Sequence, residues 1–256
     1  MRPLEHVLER TVLIRARRDI VFRYFTDSDR FAAWWGAGST IDGRPGGALR
    51  IRYPNGVLAS GEVLEMVPPR RVVFTYGYED PAKPIPPGGS RVIVTLEERP
   101  EGTLVLLRHE LPDAAARDHH LQGWRYQLAV FANVVAREQG AGLAAAVDAF
   151  FAAWSETDEA RRRAALRAVA TEDVAFADAF SCTAGLDDLV AHLGAAQVHM
   201  PGTMLVRSGD VRLCQGTALV DWVAKGPDGA PRGRGTNVFD LSPDGRLARI
   251  VGFWAN

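Results

Sequence analysis

The chain has 256 residues, 47% of them hydrophobic and 24% charged, with a formal net charge of −1 and a pI of about 6.6. That mix argues against disorder, and the near-zero charge supplies no field favouring nucleic acid or an anionic membrane. No apolar run reaches the ~20 residues of a membrane span, and the residues from Met1 to His6 form no signal-peptide core. Cys182 and Cys214 fit no zinc pattern, so a reducing, cytoplasmic setting with buried thiols is expected.

Length alone suggests two domains, and the pattern along the chain agrees. Val7–Arg15 reads as a strand, and Ile20 to Phe25 as a short helix. Ser28 is placed as N-cap of a second helix carrying Phe31, Trp34 and Trp35, ended by Gly36 and Gly38. An antiparallel meander follows. Its hairpins turn at Pro54-Asn55-Gly56 and Arg99-Pro100-Glu101-Gly102, while Val72–Tyr76 leads into a Pro/Gly-rich loop from Asp80 to Gly89. A helix is predicted from Asp113 to Glu138, with Leu121, Trp124, Leu128, Phe131 and Val135 forming one stripe. At 1.5 Å per residue it would be about 37 Å long, enough to cross a sheet.

Gly140 and Gly142 mark a boundary, so the expected domains are 1–140 and 141–256. Beyond it, Leu143–Ala153 and Asp158–Ala170 read as helices, the second capped by Thr157. A strand at Val174–Ala177 precedes Asp178, and Leu186–Val198 is a third helix. Strands at Thr203–Val211, Ala218–Ala224, Arg234–Leu241 and Leu247–Trp254 close the chain as a curved sheet. Arg161-Arg162-Arg163 lies among Glu156, Asp158 and Glu159, which predicts a solvated, salt-bridged face. Arg232-Gly233-Arg234-Gly235 is read as loop composition rather than a nucleic-acid site.

Two family resemblances follow from the motifs. Val21-Phe22, Phe25-Thr26-Asp27, Trp34-Trp35-Gly36, Arg44-Pro45-Gly46-Gly47, Gly61-Glu62-Val63-Leu64-Glu65 and His120-Leu121-Gln122-Gly123-Trp124 occur in order. In them the first half resembles the family named for homologues of the heat-shock-protein-90 ATPase activator, in the helix-grip (START/SRPBCC) superfamily. Phe150-Phe151-Ala152-Ala153-Trp154, Asp173-Val174, Asp178 with Phe180, and Asp244-Gly245-Arg246-Leu247 through Phe253 occur in the second half. There the chain resembles the SnoaL-like, nuclear-transport-factor-2-like superfamily. Together these imply an α+β chain: a helix-grip domain followed by a cone-shaped α+β barrel.

The first resemblance implies a cavity between long helix and sheet, lined by Trp35, Tyr53, Phe74, Tyr76, His109 and Trp124. Trp35 and Trp124 read equally as core anchors, with the Gly123-Trp124 pair allowing close packing. The second implies a site like that of the ketosteroid isomerases of that superfamily, with Asp178 as general base and Asn237 where those enzymes carry a late-strand acid. Phe150 stands where they carry a tyrosine, and a phenylalanine cannot donate a hydrogen bond. Losing one oxyanion donor typically costs ~10²–10³ in rate, which disfavours a steroid isomerase. Asp178 alternatively caps the turn before the third helix. Phe150 and Trp154 complete the expected apolar lining. Either Asp221 or Trp222 faces the barrel interior and the other the outer sheet face, where Trp222 would serve a homodimer.

His119 and His120 point about 100° apart on a helix, and His192 and His199 lie about two turns apart, so neither pair serves one metal. No metal and no obligatory cofactor are expected. The leading expectation is binding of small hydrophobic, aromatic or lipid-like molecules. The alternatives are a cofactor-independent isomerase, cyclase or hydrolase using Asp178, and a stress-related or regulatory module that binds a protein partner.

Overall fold

Alternating residues build the first sheet in the computed structural model, which describes residues 4–255. The chain divides into two units, Met1–Val135 and Ala136–Asn256, both mixed α and β. In the first, β1 (His6–Ile14) is followed by α1 (Arg18–Arg23) and α2 (Ser28–Trp35). Then come β2 (Thr40–Ile41), β3 (Ala48–Arg52), β4 (Leu58–Val67), β5 (Arg71–Tyr78), β6 (Ser90–Arg99) and β7 (Gly102–Leu111). They form one antiparallel sheet in the order β1-β7-β6-β5-β4-β3-β2.

Helix α3 (Ala114–Gln139) carries the predicted stripe, with Trp124, Leu128, Phe131 and Val135 buried and Leu121 partly buried. Phe131 is the hub of that core. Trp34 stacks on it with centroids 4.5 Å apart, and Tyr24 and Phe25 meet it edge-on at 5.5 and 5.6 Å. Such pairs add about 0.5–1.5 kcal/mol beyond area burial.

The second unit comprises α4 (Leu143–Ala153), α5 (Glu159–Val169), β8 (Ala170–Ala177), β9 (Cys182–Ala184) and α6 (Leu186–His199). Strands β10 (Met204–Cys214), β11 (Thr217–Lys225), β12 (Pro231–Leu241) and β13 (Leu247–Trp254) follow. The sheet order is β10-β11-β12-β13-β8-β9, antiparallel except for β13 beside β8. No helix among the described residues is long and apolar enough to cross a membrane.

Several local expectations are corrected. Asp27, not Ser28, caps α2 through Arg30 N–H, because Ser28 Oγ is engaged with the Ile41 backbone. Asp158, not Thr157, caps α5. Arg162 is buried rather than solvated, its guanidinium donating to the carbonyls of Val190 and Glu156. Both cysteines are exposed, each near the end of a strand. Trp222 faces the inner side of the second sheet with Ala218, Val220 and Ala224, while Asp221 faces outward to Arg212 and Thr236.

Truncation at the hub should register clearly. Phe131→Ala is expected to cost about 3–5 kcal/mol, read as a lower urea midpoint for the amides of β5 to β7 in hydrogen exchange.

Candidate functional site

Strand alternation puts Tyr76 and Tyr78 on the same face of β5, and the helical period puts His120 and Trp124 on one side of α3. Between them opens a cavity of about 480 Å³. Its wall includes Trp34 and Trp35 from α2, Tyr53 just after β3, Tyr76, Tyr78, and His120, Trp124 and Gln127 from α3. Of the expected lining residues, Trp35, Tyr53, Tyr76 and Trp124 are brought together here. Phe74 and His109, both fully buried, lie outside the lining set.

Two hydrogen-bond systems organise the wall. Tyr53 and Tyr76 share a hydroxyl–hydroxyl bond of 2.8 Å. Tyr78 Oη lies 3.2 Å from His120 Nε2, while His120 Nδ1 lies 2.7 Å from the Ala116 carbonyl. A carbonyl only accepts, so Nδ1 carries the proton in the neutral ring and the tyrosine donates to Nε2. Behind the wall, Trp124 Nε1–H donates to His109 Nδ1 at 2.9 Å, leaving Nε2–H to donate to Ser90 Oγ at 2.8 Å. Ser90 donates in turn to the Tyr76 carbonyl at 2.8 Å.

Burial sets the charge states. It raises the phenols of Tyr53, Tyr76 and Tyr78 above their usual range, so all three stay protonated at neutral pH. It holds His109 well below the ordinary 6.5, and lowers His120 despite the bond to Ala116. The indole nitrogens of Trp34 and Trp35 are buried out of reach of solvent and find no acceptor in the protein. Gly123 corrects an expectation: it lines the exposed mouth, and a Cβ there would meet nothing within 4 Å.

In the second unit, Asp178 follows β8 and Asn237 sits on β12, flanking Gly252 of β13. A Cβ on Gly252 would lie 3.2 Å from Asn237 Oδ1 and 3.3 Å from the Asp178 Cβ, so glycine is what admits both side chains. Asp178 Oδ1 accepts from the N–H groups of Phe180 and Ser181, both at 2.8 Å, and Oδ2 lies 3.4 Å from Trp254 Nε1. The carboxylate thus closes its own turn. Asn237 Oδ1 accepts from Trp222 Nε1 at 2.8 Å. Phe150 is fully buried against Phe239, and Trp154 packs on Phe176 and His192. His192 is lowered by burial, against the pull of Asp178 and Asp188. Its Nε2 and Trp154 Nε1 are without protein partners.

The family model described as activator of Hsp90 ATPase homolog 1-like protein matches residues 15–136. The first half resembles that family, and the second resembles SnoaL-like proteins. An isomerase candidate of the SnoaL-like family from Agrobacterium tumefaciens is 27% identical, covering 46% of this chain and 99% of its own at a TM-score of 0.43. An AHSA1-like protein from Rhizobium etli is 29% identical over 51% of this chain and 81% of its own, with a TM-score of 0.42. An Aha1 dimer from Colwellia psychrerythraea is 18% identical over 48% and 90%, also at 0.42. The comparison with curated proteins found no match.

Sequence reasoning missed Trp34, Tyr78, His120 and His192. Tyr78 was recoverable from the two-residue step beyond Tyr76, and His120 from its place four residues before Trp124.

The His109 geometry has a pH consequence. Unfolded, the ring takes a proton near its ordinary 6.5; folded, it resists until well below that. A proton on Nδ1 would also oppose the Trp124 N–H. The unfolded state therefore binds more protons as pH falls, so this stability is complete above about pH 6.5 and is lost progressively on acidification. Urea midpoints measured from about pH 7.5 down to pH 5 should fall steadily below pH 6.5. A flat profile would contradict a neutral native His109.

Proposed function

We propose that the first unit binds a small, flat, largely aromatic molecule in the cavity between α2, β5 and α3. The observation that carries this is the cavity itself, about 480 Å³ and walled largely by aromatic rings from α2, β5 and α3. The volume falls within the ~300–1,000 Å³ typical of small-molecule sites. The tilted Trp34–Trp35 and edge-on Trp35–Tyr53 and Trp35–Trp124 rings offer faces and edges to a planar guest. The exposed, unpaired thiols of Cys182 and Cys214 suit a reducing compartment such as the cytoplasm.

A second reading is favoured by the flanking of Gly252 by Asp178 and Asn237. There Asp178 acts as acid/base on a ketone or epoxide, and the Asn237 amide, its oxygen already taken by Trp222, supplies the hydrogen-bond donor. His192, whose Nε2 is unpartnered, stands within reach of the Asp178 field.

The two readings separate experimentally. Titrated with the neutral fluorophore N-phenyl-1-naphthylamine, the wild type should saturate at one probe per chain. Gly123→Leu, which places a side chain at the mouth, should weaken binding by about tenfold or more. The same change should hold or raise stability, since glycine is about 0.8–1 kcal/mol poorer than good formers in a helix. Equal binding by both proteins would sink the cavity reading.

For the second reading, Asp178→Asn keeps an oxygen to close the turn but removes the base. Any isomerase or epoxide-opening activity found in the wild type should fall about 10²–10⁴-fold in that variant. Unchanged turnover would remove Asp178 from the chemistry.

A further inference from the structure

The charge of this wall is one-sided. The Tyr53 and Tyr76 hydroxyls bond each other, and Tyr76 also couples to Tyr78, whose proton is committed to His120, so the phenols are engaged among themselves. Among the described residues, no aspartate or glutamate lines the cavity, whereas Lys83 does. The chain's basic residues are otherwise arginines, apart from Lys225. Most of those arginines carry a carboxylate partner, but Lys83 is in no ion pair or side-chain hydrogen bond among the described residues.

The lysine is also held in place. Its loop begins with a turn in which Asp80 accepts from Ala82 N–H through Oδ1 and from Lys83 N–H through its carbonyl. Farther on, Ile85 is fully buried and its carbonyl accepts from Tyr78 N–H at 2.7 Å. Gly77 lets the loop lie directly on β5, since a Cβ there would fall 1.8 Å from the Pro86 carbonyl oxygen. Four prolines, at 81, 84, 86 and 87, limit the loop further. The strand that carries Tyr76 and Tyr78 therefore also anchors the loop backbone that presents Lys83 to the cavity.

Resting on the reading of this cavity as a ligand site, we infer that its ligand is an aromatic oxyanion: a ring system bearing a carboxylate, sulfonate or ionised enol, with the charged group on Lys83. A cationic guest would meet Lys83 and find no counter-charge on the wall. A neutral hydrocarbon would leave Lys83 without a partner.

A pair of probes with one aromatic body tests this. 8-Anilinonaphthalene-1-sulfonate carries the anion, and N-phenyl-1-naphthylamine lacks it. At low salt, the wild type should bind the sulfonate about tenfold more tightly, since hydrogen bonds to charged groups are the stronger class. In Lys83→Gln the two affinities should converge, with that of the neutral probe unchanged. Salt should narrow the wild-type gap, as the screening length shortens from ~10 Å at 0.1 M to ~3 Å at 1 M. Equal binding of both probes by the wild type, or a gap that survives in Lys83→Gln, overturns the anion assignment and leaves the cavity reading standing. If neither probe binds, the cavity reading falls and this inference falls with it.

Discussion

Helix α3 is tied to its sheet by a file of hydrogen bonds in which each proton has one place to go. The Tyr76 carbonyl has no proton to give, so Ser90 must donate to it. Ser90 oxygen then accepts from His109 Nε2–H, which leaves Nδ1 bare to accept from the Trp124 indole. The file crosses β5, β6, β7 and α3, and it works only with a neutral imidazole. Burial enforces that neutrality. Three features of the cavity follow from it: the angle of the Trp124 ring, the spacing between α3 and β5, and the inward aim of Tyr76.

A satisfied layer behind the wall makes an unsatisfied layer in front of it tolerable. Behind, Trp124, His109 and Ser90 close every bond they can make. In front, Trp34 and Trp35 keep buried N–H groups without protein acceptors, although their rings are packed as tightly as any in the core. Packing thus fixes where these donors sit, and hydrogen bonding within the protein does not consume them. That division of labour gives a rigid aromatic surface, placed by ring packing rather than by hydrogen bonds.

Long periodic features were legible in the sequence because many residues report the same period. The α3 stripe and the hairpins at Gly56 and Gly102 are of that kind. Single-residue roles were harder to read. Asp27 and Ser28 are both good caps, and only the backbone of Ile41, thirteen residues on, decides that Ser28 is occupied elsewhere. Arg162 looks like its exposed neighbours until α6 brings the Val190 carbonyl over it. His109 and Tyr78 sit on adjacent parts of one sheet, yet the first lies behind the wall and the second forms it. Strand alternation assigns a face, and burial depth within that face comes from the helix laid across it. The strands β2 and β9 have two and three residues, too few to show any period.

Asp178 shows how one carboxylate can divide its two oxygens between different partners. Its Oδ1 is committed to two backbone N–H groups, which orients the carboxylate plane and makes it an integral part of the turn after β8. Its Oδ2 has only the longer contact with Trp254, so one oxygen anchors while the other keeps its valence. Gly252 completes the arrangement from the neighbouring strand, since any side chain there would crowd both Asp178 and Asn237. Trp222 plays on Asn237 the part that Trp254 plays on Asp178, an indole N–H aimed at a side-chain oxygen. Phe150, deep in the core against Phe239, is too committed to packing to stand in for the donor its position would need. The Asn237 amide is thus the polar group beside the Asp178 carboxylate, and the nitrogens of Trp154 and His192 are without protein partners. The two units differ in their means: the first lines its cavity with aromatic rings, and the second sets a carboxylate oxygen, held by one long indole hydrogen bond, beside an amide.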